Sequence, residues 1–309
     1  MQMKTFLSTM ALFSLCLCGC GNAKSSAENI DKNGNVSEIP QHDTAERKNF
    51  SNGGFDIEKH SGDDAFVHSN KFGKTYRHSS LLLSYSEDDE QAEWVCYELT
   101  KEEATASGKR SNNFMQDPII STGSAQPYEY RNSGYDKGHL APSADMKFDR
   151  QAMQNSFYMS NITPQTHKLN TGIWNNLEQQ CRFWARVFKR IHIVTGPVLN
   201  IDPKKKKKLT YTDYGIEKKS DITIPEYYYK IVFDNAEPEI KMIAFLIPNT
   251  NDVKGSYFDY AVSVDHLEEL TGIDFFSNLP LKVQEQYESS VDVEPWKKFT
   301  NKGKQYNKY

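Results

Sequence analysis

Tyr135-Asp136-Lys137-Gly138-His139-Leu140-Ala141-Pro142-Ser143-Ala144-Asp145 decides how this chain is read, together with the two clusters that follow it, Ser160-Asn161-Ile162-Thr163-Pro164-Gln165 and Leu169-Asn170-Thr171-Gly172-Ile173-Trp174 running on to Leu177-Glu178. Each cluster alone is weak evidence, since a histidine beside glycine is commonly structural and an asparagine ahead of a helix is commonly a cap. Taken in order they supply what phosphodiester hydrolysis needs: a base for water, a cation against the added charge, and a donor near the leaving oxygen. His139 is the candidate base near neutral pH. Asn170 offers a hard, neutral oxygen suited to magnesium, which retains most of its waters and accepts few protein ligands. Glu178 lies eight residues on, roughly 12 Å further along a continuous helix at ~1.5 Å per residue, which fits a role through water rather than direct coordination. Asp136 reads as structural, because a second carboxylate beside the scissile phosphate would repel it.

Outward from this stretch, apolar periodicity sets the class. Leu81 to Tyr85 and Trp94 to Leu99 read as two antiparallel strands joined by the acidic linker 86–91, and Ile191 to Val198, Tyr227 to Phe233 and Met242 to Ile247 supply further strands. Ile173, Trp174, Leu177, Cys181, Trp184, Val187 and Phe188 recur at three- and four-residue spacing, predicting a helix over 171–189 with a broad apolar face. A second helix is predicted over 263–271, capped by Ser263 and ended by Gly272, and a third over 280–290. Strands and helices without regular βαβ alternation give an α+β class with a sheet of five or more strands.

The order Asp-Lys-Gly-His, Ser-Asn-Ile-Thr-Pro-Gln, Leu-Asn-x-Gly-x-Trp, Leu-Glu resembles the DNA/RNA non-specific endonuclease family of the ββα-metal fold, whose signature begins Asp-Arg-Gly-His. Later segments are similar as well: Thr195-Gly196-Pro197-Val198, Ile224-Pro225 with Tyr228-Tyr229-Lys230, Phe245 to Asn249, and Leu270 to Phe276, so the likeness covers about residues 75–290. The resemblance implies a central antiparallel-rich sheet flanked by helices and cleavage of DNA and RNA with little sequence preference. It implies one divalent cation, Mg2+ with Mn2+ able to substitute, and 5′-phosphate products. At matching positions it implies His139 as general base, Asn170 as the metal-holding residue, Glu178 as the holder of a metal-bound water, and Asn161 as the organiser of the site. Arg110, in Arg110-Ser111-Asn112-Asn113-Phe114, matches an upstream arginine that meets the phosphate. Lys137 stands where the family usually has arginine; it keeps the charge and loses the two-pronged grip on phosphate oxygens. Two other readings fit the same residues: a nucleic-acid-binding lipoprotein with weak turnover, and a phosphodiesterase for small nucleotides.

The ends of the chain are read separately. Lys4, an apolar run from Phe6 to Leu17 and Leu17-Cys18-Gly19-Cys20 form a signal-peptide layout whose end resembles the lipobox of bacterial lipoproteins. Residues 1–19 are therefore expected to be a signal peptide, Cys20 an acylated anchor, 20–64 a flexible tether poor in aromatics, 65–300 the endonuclease domain and 301–309 a tail. That places the domain outside the cytoplasm, held to a membrane only by lipid, or secreted if the segment is an ordinary signal peptide cut nearby. The net charge is −4 at pH 7, or −5 once residues 1–19 and their single lysine are discarded. An acidic total excludes a generally basic nucleic-acid binder, so contact with phosphate must rest on a local patch. The run Lys204 to Lys208 reads as a mobile loop, either solvated or phosphate-attracting. Two cysteines remain in the body, Cys96 and Cys181, too few for a metal site and left open between buried thiols and a bridge. No exposed apolar stripe demands a second copy of the chain.

Overall fold

Strands whose every residue is apolar must be covered on both faces, and the runs around Val95, Ile193, Val232 and Ile243 meet that demand in a seven-stranded sheet. The computed structural model describes residues 73–199, 202, 204–236 and 240–300; the signal segment, Cys20, the tether and the tail lie outside them. The sheet takes β1 (Lys74–Arg77), β2 (Leu82–Ser86), β3 (Gln91–Thr100), β6 (Arg190–Pro197), β9 (Tyr227–Asp234), β10 (Lys241–Pro248) and β11 (Ala261–Val262) in that spatial order, each pair antiparallel. Register places Tyr97 opposite Ile193, Ile193 opposite Val232 and Val232 opposite Ile243, so one row of side chains crosses four strands on a single face. Because side chains alternate along a strand, their neighbours Cys96, Val194, Ile231 and Met242 build a second core on the other face.

Two further strand pairs stand apart from this sheet. β4 (Asp136–His139) pairs antiparallel with β5 (Ile162–Gln165), and β7 (Lys207–Asp213) pairs with β8 (Ile216–Ile224). Between β4 and β5 runs α2 (Arg150–Ser156), whose N-cap Asp149 accepts from the amides of Gln151 and Ala152 at 2.7 and 2.9 Å. After β5 come a single turn, α3 (His167–Leu169), a wide π-turn over Asn170–Trp174, and α4 (Asn175–Phe188). β4, β5 and α4 thus form a strand–strand–helix unit laid against the first face.

α4 buries Leu177, Cys181, Trp184 and Ala185 against Ile193, Val232 and Phe245. Each large apolar side chain so covered stabilises the fold by roughly 1.5–3 kcal/mol. The second face is covered by Val264 and Leu267 of α5 (Val264–Thr271), by Ile273, Phe275 and Phe276 after it, and by the half-buried Val283 and Tyr287 of α6 (Leu281–Tyr287). Ser263 caps α5 by accepting from the His266 amide, and Gly272 ends it at φ 71°, the left-handed geometry that glycine adopts without strain. The short helices α1 (Lys101–Thr105) and α7 (Glu294–Lys297) close the first face, where Trp296 meets Trp184 edge-on at 4.7 Å. Among the described residues no helix is long and apolar enough to cross a membrane.

The α+β class, the antiparallel sheet and the helix pair 263–271 and 281–287 match the expectation from sequence. Three details differ. The helix expected from Thr171 begins at Asn175, since Gly172 leaves helical geometry (φ −102°, ψ −112°) inside the wide turn. The lysine run is not all loop: Lys206 Nζ is held by both oxygens of Asp89 at 2.8 and 2.9 Å, and Lys207 and Lys208 already belong to β7. Cys96 and Cys181 are both buried, in the cores of opposite faces, and no disulfide joins them.

Candidate active site

The glycine of Asp-Lys-Gly-His is where the site begins. A Cβ at Gly138 would stand 2.3 Å from the Gln165 side chain on the paired strand, so only glycine lets β4 and β5 close at this point. Beyond it His139 ends β4, 8% exposed, its ring 4.9 Å from Phe157 edge-on and 5.6 Å from Phe114. Its Nε2 is buried with no hydrogen-bond partner. Burial first, and the nearby Arg110 charge second, push its pKa down to about 3, so the ring is neutral across the physiological range.

Arg110 reaches this ring from the loop after α1. Its guanidinium lies 5.1 Å from the Phe157 ring centroid, donates through Nη1 to Ser143 Oγ, and donates through Nε to Asn112 Oδ1 at 2.7 Å. Its charge also acts on Glu178, half-buried on α4. Burial raises the Glu178 carboxyl to about 7 against the opposing charges of Lys230, Arg182 and Arg110. His139, Arg110 and Glu178 therefore share one electrostatic neighbourhood although they come from a strand, a loop and a helix.

Asn170 is brought in by Asp136. Its Nδ2 donates to Asp136 Oδ2 at 2.9 Å, and the same carboxylate oxygen meets His167 Nδ1 at 2.9 Å. With its amide hydrogens directed to Asp136, Asn170 keeps Oδ1 as a free acceptor, a hard neutral oxygen of the kind a magnesium-class cation takes. The donor set thus fits such an ion: one amide oxygen from Asn170 and one carboxylate, Glu178, that makes no side-chain hydrogen bond among the described residues. Asp136 is accordingly an orienting residue, as its sequence context indicates.

Lys137 points across the aromatic wall, its ammonium 5.1 Å from the Phe114 centroid and 6.0 Å from Tyr130. Burial, and then Arg131, lower its pKa while Asp136 raises it. Asn161 is different in kind. Fully buried, it accepts from the Ala141 amide at 2.9 Å and donates to the carbonyls of Ala141 and Ser156, both at 2.9 Å. Every polar atom of its side chain is bound to backbone, so it pins the turn after His139 and has nothing left to offer a substrate.

Lys230 was not singled out as a site residue from the sequence. It is fully buried on β9, its Nζ has no hydrogen-bond partner, and it lies 4.8 Å from the Trp174 ring centroid. Burial lowers its pKa; the carboxylates of Glu178 and Asp145 are among the groups that raise it. Asp145, in turn, is saturated by Tyr97 Oη at 2.8 Å and Arg182 Nη1 at 2.6 Å. The signal for Lys230 was present: it interrupts Tyr228 to Phe233, a strand apolar on both faces, where a lysine has no solvent to reach.

A family model described as DNA/RNA non-specific endonuclease matches residues 62–282. A nuclease of Nostoc sp. (strain PCC 7120) is 34% identical over 225 residues, covering 69% of this chain and 77% of that protein. The mitochondrial nuclease EXOG of Mus musculus is 30% identical over 213 residues, covering 67% of this chain and 58% of its own length. Among solved structures, a chain from a crystal structure of the EndoG/EndoGI complex superposes with a TM-score of 0.57 at 26% identity, over 69% of this chain and 89% of that one.

Proposed function

This chain belongs to the DNA/RNA non-specific endonuclease family, and from that premise we propose that it cleaves DNA and RNA internally, with His139 as general base and Asn170 as the residue that holds a divalent cation. The observation that carries the reading is His139 Nε2: a buried nitrogen with no partner, on a ring kept neutral, beside a guanidinium. Such a nitrogen has a lone pair open to water, and a phosphate anion bound beside it would offset the burial and the guanidinium charge that depress its basicity. The water oxygen then bonds to phosphorus as the bond from phosphorus to the 3′-oxygen breaks; the 3′-oxygen takes a proton from solvent water and His139 gives its proton back to solvent, leaving a 5′-phosphate and a 3′-hydroxyl.

Each remaining residue has a part that its surroundings support. Arg110, braced by Ser143 and Asn112, presents its guanidinium to the phosphate next to His139. Lys137 adds a second positive charge. Mg2+, with Mn2+ able to substitute, would be held through Asn170 Oδ1, with Glu178 reaching it through water; when bound, it supplies charge neutralisation at the phosphate. Asn161 and Asp136 position His139 and Asn170 and touch no reacting atom. Substrate breadth follows because every group named here addresses the backbone and none a base edge. Export and lipid anchoring through Cys20 are part of the same proposal and rest on the sequence of residues 4–20.

Incubation of the purified chain with supercoiled plasmid and with single-stranded RNA, in magnesium and in EDTA, tests the activity. Nicking and RNA fragmentation in magnesium alone, with products whose 5′-ends ligate without prior phosphorylation, are expected. Binding without cleavage, or cleavage only of dinucleotide analogues, would overturn it.

A further inference from the structure

Three carboxylates converge on the sheet face opposite α4, away from every group assigned above to phosphodiester chemistry. Asp265 and Glu268 stand three residues apart on α5, hence on one side of that helix, and Glu288 follows α6. One oxygen from each lies within 4.8 Å of the other two. Glu288 is only 4% exposed, and its Oε1 is buried without a hydrogen-bond partner. A buried carboxylate with an unpartnered oxygen, close to two more carboxylates, is costly unless something positive stands among them. Among the described residues no lysine or arginine is paired with any of the three.

We propose that Asp265, Glu268 and Glu288 form a binding site for a calcium-class divalent cation that staples α6 to α5. The donors are all carboxylate oxygen, with no histidine or cysteine, which favours a hard cation over zinc. Three protein carboxylates suit calcium, which takes six to eight oxygens at roughly 2.3–2.6 Å and so tolerates oxygens up to about 5 Å apart; magnesium keeps more of its own water. The donors are also fixed by backbone. The Asp265 amide donates to the Glu288 carbonyl at 3.1 Å, and Glu268 Oε1 accepts from the Phe275 amide at 2.7 Å. Three segments, the start of α5, the turn after Gly272 and the end of α6, therefore meet at one point. Burial, helped by the neighbouring carboxylates, raises Glu288 to about 8 and Glu268 to about 7.

The test reads thermal unfolding of the full chain carrying Asn170→Ala, which removes the nuclease cation from the measurement and leaves this readout intact even if the nuclease reading fails. After EDTA treatment, millimolar calcium at pH 8 is expected to raise Tm by about 5 °C, as a stabilising ligand does for a domain of this size, and equal magnesium by clearly less. Glu288→Gln should abolish the calcium response and be at least as stable as its parent in EDTA, since a neutral amide relieves the crowding. Asp265→Asn, at an exposed position, serves if Glu288→Gln does not fold, and should also abolish the response. The absence of any calcium shift between pH 7 and 9, or a shift that survives both substitutions, would overturn the proposal.

Discussion

The same strands present two faces, and the polar groups buried on them are treated differently. Under α4, the side of Tyr97, Ile193, Lys230, Val232 and Phe245, polar atoms without partners are spread over several segments: His139 Nε2 on β4, the Gln165 amide on β5, Lys230 Nζ on β9. Under α5 and α6 the packing of Val194, Ile231, Phe233, Leu267 and Phe275 is apolar, and an unpartnered oxygen of Glu288 belongs to a single acidic cluster. Dispersed, differently charged groups around one aromatic wall are a site that must address a substrate with several separate contacts. Three carboxylates at one point are a site that a single small ion satisfies. Unmatched burial destabilises a fold in both places, so each arrangement points to what completes it.

His139→Ala should break the first face most severely, lowering plasmid nicking by about a thousandfold, within the range that general bases contribute, while Tm falls by no more than a few degrees. Glu288→Gln in the otherwise unaltered chain is the opposite control, with the nicking rate in magnesium unchanged. If both substitutions changed nicking alike, the two faces would not be functionally separate. Arg110→Met comes next, with turnover expected to fall on the order of a hundredfold through loss of a charge-assisted phosphate contact. It has a second signature. Arg110 is one of the causes that depress the His139 pKa, and the base works only when neutral, so removing the guanidinium moves the acid limb of the kcat/KM profile to higher pH. Burial, the larger cause, remains, so the limb stays below the ordinary histidine range. An acid limb that does not move would separate Arg110 from His139.

How far these residues could be read from the sequence depends on the range of the interaction that places them. Strand runs, the α5 cap at Ser263 and the stop at Gly272 are decided within a few residues, and all were legible. His139, Asn170, Glu178 and Arg110 were singled out by ordered motifs and Asp136 was read as structural, but the pairings that hold them were not legible: Asp136 reaches Asn170 over 34 positions and Arg110 reaches Ser143 over 33. Nothing local encodes those pairs. Periodicity carried the α4 helix back to Thr171 because Ile173 and Trp174 keep its spacing through the wide turn, where only the backbone angles of Gly172 depart. The lysine run failed as a loop for a similar reason, since Asp89, 117 positions away, holds Lys206. The carboxylate site had no motif, because Glu288 joins Asp265 and Glu268 only once α6 has folded back on α5.

Lys230→Met sharpens the comparison from inside the first face. Lys230 Nζ has no hydrogen-bond partner, so an unbranched apolar side chain of similar length should leave Tm unchanged or raise it. The ammonium also opposes the upward pull of burial on Glu178. Its removal raises the Glu178 pKa further, leaving less carboxylate at pH 7, and turnover is expected to drop about tenfold, the lower end of what the loss of an outer contact at a metal site does. Raising the pH toward 9 should recover much of it, because the carboxylate then forms again. A fall that pH does not relieve would make Lys230 a packing residue only.

Lys137→Arg carries the smallest expected effect. Lys137 holds its ammonium against Phe114 and Tyr130 without a hydrogen bond or ion pair among the described residues, so its charge is free for phosphate. A guanidinium in the same place would stack on the same rings and add a second parallel donor. Turnover should hold or rise by up to roughly threefold, a change of under about 1 kcal/mol in transition-state binding. Its salt dependence should stay close to that of the unaltered chain, because the number of positive charges facing the phosphate is the same. A collapse of plasmid nicking, with Tm unchanged, would mean that the space between Phe114 and Tyr130 is shaped for the narrower ammonium stem.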